Sequence, residues 1–103
     1  MFLQTPSYSL ESIKTLIREG NSRITGSALF DASLYDLTHV HIKEAVLLLS
    51  PSDFYKSMQS EKNELIWQDV YHKVYRDITW YIKVQIRGKA TVISFKESDE
   101  YEK

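Results

Sequence analysis

The stretch WYIKVQIRGKATVISFK, residues 80–96, alternates apolar and polar side chains on both sides of Gly88 and predicts a β-hairpin. With Gly88-Lys89 as a two-residue turn, Arg87 pairs with Ala90 and the rest of the register follows. One face then carries Ile82 opposite Phe95, Val84 opposite Ile93 and Ile86 opposite Thr91, with Trp80 at its end. The other carries Lys83 opposite Ser94 and Tyr81 opposite Lys96, with Cβ atoms about 5 Å apart. A slip of one residue would bury Lys83 and expose Ile82, so the register is well specified. The first face belongs to a core. The second gathers a phenol and two ammonium groups on a sheet surface.

Working outward, LIWQDVY (65–71), ITWYIKVQIR (78–87) and ATVISFK (90–96) keep the period of two and read as three antiparallel strands. If the connection from Tyr71 to Ile78 centres between Val74 and Tyr75, Gln68 sits opposite Tyr81. Trp67 and Trp80 are expected to fill the core. His72, just past the first strand, is placed in a turn, within range of a role in proton transfer.

Before Leu65 the apolar period is 3.6. Ser9 is an N-cap for a helix to about Glu19, with Leu10, Ile13, Leu16 and Ile17 on one face and Gly20 as the left-handed stop. An extended piece around Arg23–Ile24 is placed at the sheet edge. Thr25 to Tyr35 reads as a second helix with Ala28, Leu29 and Ala32 inward. Thr38 caps a third, whose Ile42, Ala45, Val46 and Leu49 share a face. Ser50-Pro51-Ser52-Asp53 is a helix-start signal, with Asp53 reaching back to Ser50. It predicts a short helix through DFYKSM, ending near Gln59, before a loop at SEKNE (60–64). Helices first and strands afterward give an α+β class, N-terminal short helices packed on a C-terminal antiparallel sheet.

Composition bounds the function. The 103 residues suit a single domain (1–103), with 98–103 an acidic tail expected to fray. The absence of cysteine removes disulfides and thiolate metal sites and suits a reducing, cytoplasmic setting. The longest aliphatic run, AVLLL at 45–49, is too short to span a bilayer, and MFLQTPSYSL lacks a secretory pattern. His39-Val40-His41 offers two imidazoles without a third ligand, so no metal site is expected. Residues 1–71 carry six Lys/Arg against nine Asp/Glu, whereas residues 72–96 carry six against one. A basic sheet between acidic flanks suits a polyanion, or simply a solvated face.

DFYKSM (53–58), IWQDVY (66–71), YIK (81–83) and VISFKE (92–97), in this order and spacing, together with the early helix and RITGSALFDA, resemble the MqsR family of bacterial toxins, the motility quorum-sensing regulator type. The resemblance spans nearly the whole chain and is tightest from Asp53 to Glu97. It implies a RelE-like toxin fold and an endoribonuclease (mRNA interferase) that cuts messenger RNA at GC-containing triplets such as GCU. It also implies a cognate antitoxin of the MqsA type, with zinc-binding and helix-turn-helix domains, through which any DNA contact would be indirect. The family's active-site residues fall on Lys56, Gln68, Tyr81 and Lys96, with no cofactor and no metal.

The chemistry fits those residue types. RNA brings its own nucleophile, the 2′-hydroxyl, and needs only proton transfer and stabilisation of charge at the phosphate. Two other readings use the same residues: a non-catalytic module that binds RNA or the antitoxin, and a structural subunit pairing through an exposed strand edge.

Overall fold

The computed structural model describes residues 1–98. Helix α1 (Leu10–Arg18) starts at Ser9, whose hydroxyl accepts from Ser12 N–H, and Gly20 stops it with φ +80°. Thr25 caps α2 (Gly26–Ser33) and Thr38 caps α3 (His39–Leu47). His41 has a local role: its Nδ1 accepts the Thr38 backbone N–H at 2.9 Å, closing a capping box.

Six strands form one sheet in the order β1-β3-β4-β5-β6-β2: β1 (Phe2–Leu3), β2 (Ser22–Ile24), β3 (Phe54–Gln59), β4 (Trp67–Tyr75), β5 (Ile78–Arg87) and β6 (Lys89–Glu97). The four C-terminal strands are antiparallel neighbours, as expected, but β2 adds to the edge of β6 in parallel, making the sheet mixed. The helices pack on one face of this α+β fold. Ile13, Ile17, Ala28, Ala32, Ile42, Ala45 and Val46 share one core with Trp80, Ile82, Val84, Val92 and Phe95. Trp80 stacks on Phe95 with ring centroids 4.5 Å apart and meets Tyr35 edge-on at 5.1 Å. Each such fully buried side chain contributes about 1.5–3 kcal/mol.

Four expectations need correction. DFYKSM is not a helix. Ser50 N–H does donate to the Asp53 carboxylate (2.8 Å), but the start signal yields only a 3₁₀ turn, Pro51–Asp53. The chain then enters β3, because β4 presents an open edge that satisfies the backbone of the next six residues. Second, the β5–β6 register holds from Trp80–Glu97 to Lys83–Ser94 and then shifts, so Val84 faces Val92 and Ile86 faces Ala90. This bulge puts Val92 and Ala90 in the core and turns Ile93 out. It is locked from the β2 side, where Thr25 N–H donates to Val92 O (3.1 Å) and Thr25 Oγ1–H to Ile93 O (2.7 Å).

Third, β4 and β5 turn at Arg76-Asp77, both with positive φ (53° and 65°), as a two-residue hairpin requires. His72, not Gln68, is therefore opposite Tyr81. Fourth, Leu29 is exposed rather than inward, because only Ala28 and Ala32 of α2 reach the core. Trp80 is in the core, while Trp67 is half-buried near the start of β4. Ser98 N–H donates to Thr79 O (2.8 Å); the remainder of the acidic tail, 99–103, lies outside the described residues.

Asp69 ties the N-terminal segment to the sheet. Its wholly buried carboxylate accepts the backbone N–H groups of Ser7 and Tyr8, each at 2.9 Å. Beside it the Tyr71 phenol is pushed up to about 12 by burial first and by the Asp69 charge second.

Candidate active site

The residues that alternate with the core positions of β3–β6 form the opposite face. Cross-strand pairing arranges them in rows. Tyr81 sits between His72 on β4 and Lys96 on β6. Tyr55 extends this row, its ring stacked on His72 at 4.3 Å and 20°. The next row runs Lys56, Val70, Lys83, Ser94. Beyond it lie Met58, Gln68 and Gln85, where Gln68 Nε2 donates to Gln85 Oε1 at 2.9 Å.

Charge converges on Tyr81. Lys96 Nζ stands 5.0 Å and Lys83 Nζ 5.8 Å from the centroid of its ring, whose hydroxyl points at Met58 Sδ (3.9 Å). Tyr81 itself is 7% exposed. Its ring is therefore a buried floor, beside which the Lys96 side chain is exposed and that of Lys83 half-buried. Glu97 does not neutralise Lys96. It pairs with Trp80 on the other face, and its carboxylate accepts the Tyr35 hydroxyl, which that hydrogen bond holds above the usual phenol range.

Of the four residues named from sequence, Tyr81 and Lys96 are brought together. Lys56 shares their face two strands away, with Nζ 5.4 Å from the Tyr55 ring and 5.6 Å from the Phe2 ring, turned toward the β1 edge. Gln68 shares the face but lies two pairs along from Tyr81. It opens onto a cleft of about 340 Å³ whose walls include the SEKNE loop. Tyr55 was not singled out from sequence, because it stands in the segment read as a helix. His72 was expected in a turn and instead lies within β4, its ring centroid 6.0 Å from that of Tyr81.

A family model, motility quorum-sensing regulator, toxin of MqsA, matches residues 5–97. This chain belongs to the MqsR toxin family. A curated relative is 36% identical over 94 residues, covering 91% of this chain and 96% of its own length: the mRNA interferase toxin MqsR of Escherichia coli (strain K12). The matched span includes Tyr55, Lys56, Gln68, His72, Tyr81, Lys83 and Lys96. No helix among the described residues is long and apolar enough to cross a membrane. Nor do those residues contain a group of three or more His, Asp or Glu side chains placed to hold a metal ion.

Proposed function

We propose that this chain is a single-domain (1–103) MqsR-type toxin, a cytoplasmic endoribonuclease that cuts messenger RNA without a metal and is neutralised by a cognate antitoxin. The observation that carries the reading is the convergence of Lys96 and Lys83 on the ring of Tyr81, on the sheet face opposite the helix-packed core. Membership of a toxin family, and the name of the Escherichia coli relative, support the choice of RNA over another polyanion. The same membership supports two finer parts of the proposal: selectivity for a GC-containing triplet such as GCU, and an MqsA-like antitoxin that alone contacts DNA.

In the proposed reaction the 2′-oxygen of one ribose forms a bond to the adjacent phosphorus and the 5′-oxygen leaves. A proton passes from the first and one is delivered to the second. Lys96 lies against the phosphate and offsets the charge that grows there, with Lys56 gripping the strand toward the β1 edge. The Tyr81 hydroxyl serves proton transfer or orients the ribose, and Gln68 holds a neighbouring nucleotide by hydrogen bonding. Because the nucleophile is internal to the substrate and the charge is met by ammonium groups, no metal is required.

The test is cleavage of a short RNA by the purified chain, with fragments mapped and EDTA present or absent. Cuts at one recurring triplet, indifferent to EDTA, are the expected result. Salt-dependent binding with no fragments would establish the non-catalytic RNA-binding module instead.

A further inference from the structure

Gln68 is too far along the sheet to share a phosphate with Tyr81. Gln85 lies four positions beyond Tyr81 on β5, about 13 Å at strand spacing, and Gln68 is bonded to Gln85. An RNA strand engaged at Tyr81 would meet this amide pair a nucleotide or more away.

The surroundings of the pair are those of a small built cleft. Its floor is Gln68 and Gln85, with Lys83 on the side toward Tyr81. Ile93 and Ile66 give two apolar walls. Ile93 reaches this face only because the bulge at Lys83/Val84 turns it out of the core. The rim is Ser60 to Asn63 of the SEKNE loop, which is held by its own bonds: Ser60 N–H to Ile66 O (2.8 Å), Ile66 N–H to Asn63 O (3.0 Å) and Gln59 Nε2 to Glu64 O (3.0 Å). A loop so tied presents a preformed wall.

The chemistry of the floor follows from amide counting. One amide donates to the other, so whichever way the two side chains are turned the pair still presents one carbonyl oxygen and one amino group. An adjacent acceptor and donor match the Watson–Crick edge of an unpaired base, the edge by which single-stranded RNA is read. A sugar or phosphate would use the donor and leave the carbonyl idle. The apolar surface of Ile66 and Ile93 offers van der Waals contact that a base can use and a phosphate cannot.

We infer that this cleft is a nucleobase subsite, in which the Gln68–Gln85 amide pair reads the edge of one base of the recognised triplet. The inference rests on the endoribonuclease reading and adds Gln85 as a specificity-determining residue. Gln85→Leu removes the Gln85 half of the amide edge while roughly keeping the volume. Gln85→Glu keeps an oxygen for Gln68 Nε2 and replaces the remaining amino group by a second acceptor.

The experiment maps cleavage of a pool of RNAs randomised around the cut site, using wild type and both variants, each first checked by thermal melting. Preference at one position of the triplet should fall about tenfold or more in Gln85→Leu and change its preferred base in Gln85→Glu, the other positions staying as they were. The same comparison is made by binding, with RNAs carrying a 2′-deoxy sugar at the cut site. No cleavage by wild type would sink the nuclease reading, while the binding arm still tests the subsite. Selective cleavage whose preference is the same in all three proteins overturns the subsite alone, as does cutting by wild type with no base preference. If both variants melt early, Ile93→Ala, at the wall, replaces them, and unchanged base preference there also counts against the inference.

Discussion

Lys96 and Tyr81 are direct cross-strand partners, and the lysine ammonium lies 5.0 Å from the tyrosine ring centroid. That relationship puts a cation within reach of a phosphate held over Tyr81. Lys96→Ala and Tyr81→Phe should each lower the single-turnover cleavage rate by about 10²–10⁴ while leaving the melting temperature within a few degrees. Wild-type rates in both folded variants would move the reaction centre elsewhere on the molecule.

Lys56, Lys83 and Lys96 share the open face, so RNA laid across it displaces counterions from its backbone at three points. Affinity for a non-cleavable single strand should fall with a log–log salt slope near about −2, and each Lys→Ala should reduce that slope by about 0.7. Titrations at several salt concentrations, by fluorescence anisotropy, measure this. A slope unaffected by all three substitutions would mean that RNA binds another surface.

The wholly buried Asp69 carboxylate accepts the N–H groups of both Ser7 and Tyr8. Asp69→Ala removes two hydrogen bonds to a charged acceptor, about 1.5–3 kcal/mol each, and should lower the melting temperature by roughly 10 °C or more. An unchanged melting curve would show that the N-terminal segment contributes little to stability.

Tyr71 titrates at about 12 in the fold, held neutral by burial and by Asp69, against about 10 in an unfolded chain. Its contribution is complete below pH 10, where both states are protonated. It is lost as pH rises to about 12, because the unfolded state ionises first. Urea unfolding from pH 9 to 12 should reveal a loss on the order of 1–2 kcal/mol attributable to this group. Tyr71→Phe should flatten the decline without abolishing it, since Tyr8 and Tyr75 are raised too, chiefly by burial. Identical slopes in variant and parent would exclude Tyr71 as the group responsible.

The face that matters was largely legible from alternation. Ile82 opposite Phe95, with Tyr81 opposite Lys96, is forced by a pattern in which any slip buries a lysine. The helix caps at Ser9 and Thr38 were equally plain, because a side-chain acceptor before an apolar 3.6-residue period has few other uses. Three features were not. DFYKSM has no decisive period, and its strand state depends on the open edge of β4. Arg76-Asp77 lacks the glycine or asparagine that marks a left-handed turn, which displaced Gln68 from its true partner. The bulge that brings Ile93 to the cleft has no local signature.

The sequence by itself therefore determined the α+β class, the core of the hairpin and the meeting of Tyr81 with Lys96, because those follow from which side chains water excludes. Only the tertiary structure decided that Lys56 stands on a strand, that His72 flanks Tyr81 and that Gln68 bonds Gln85. Each of those depends on backbone hydrogen bonds made between distant segments, which no local pattern of side chains encodes.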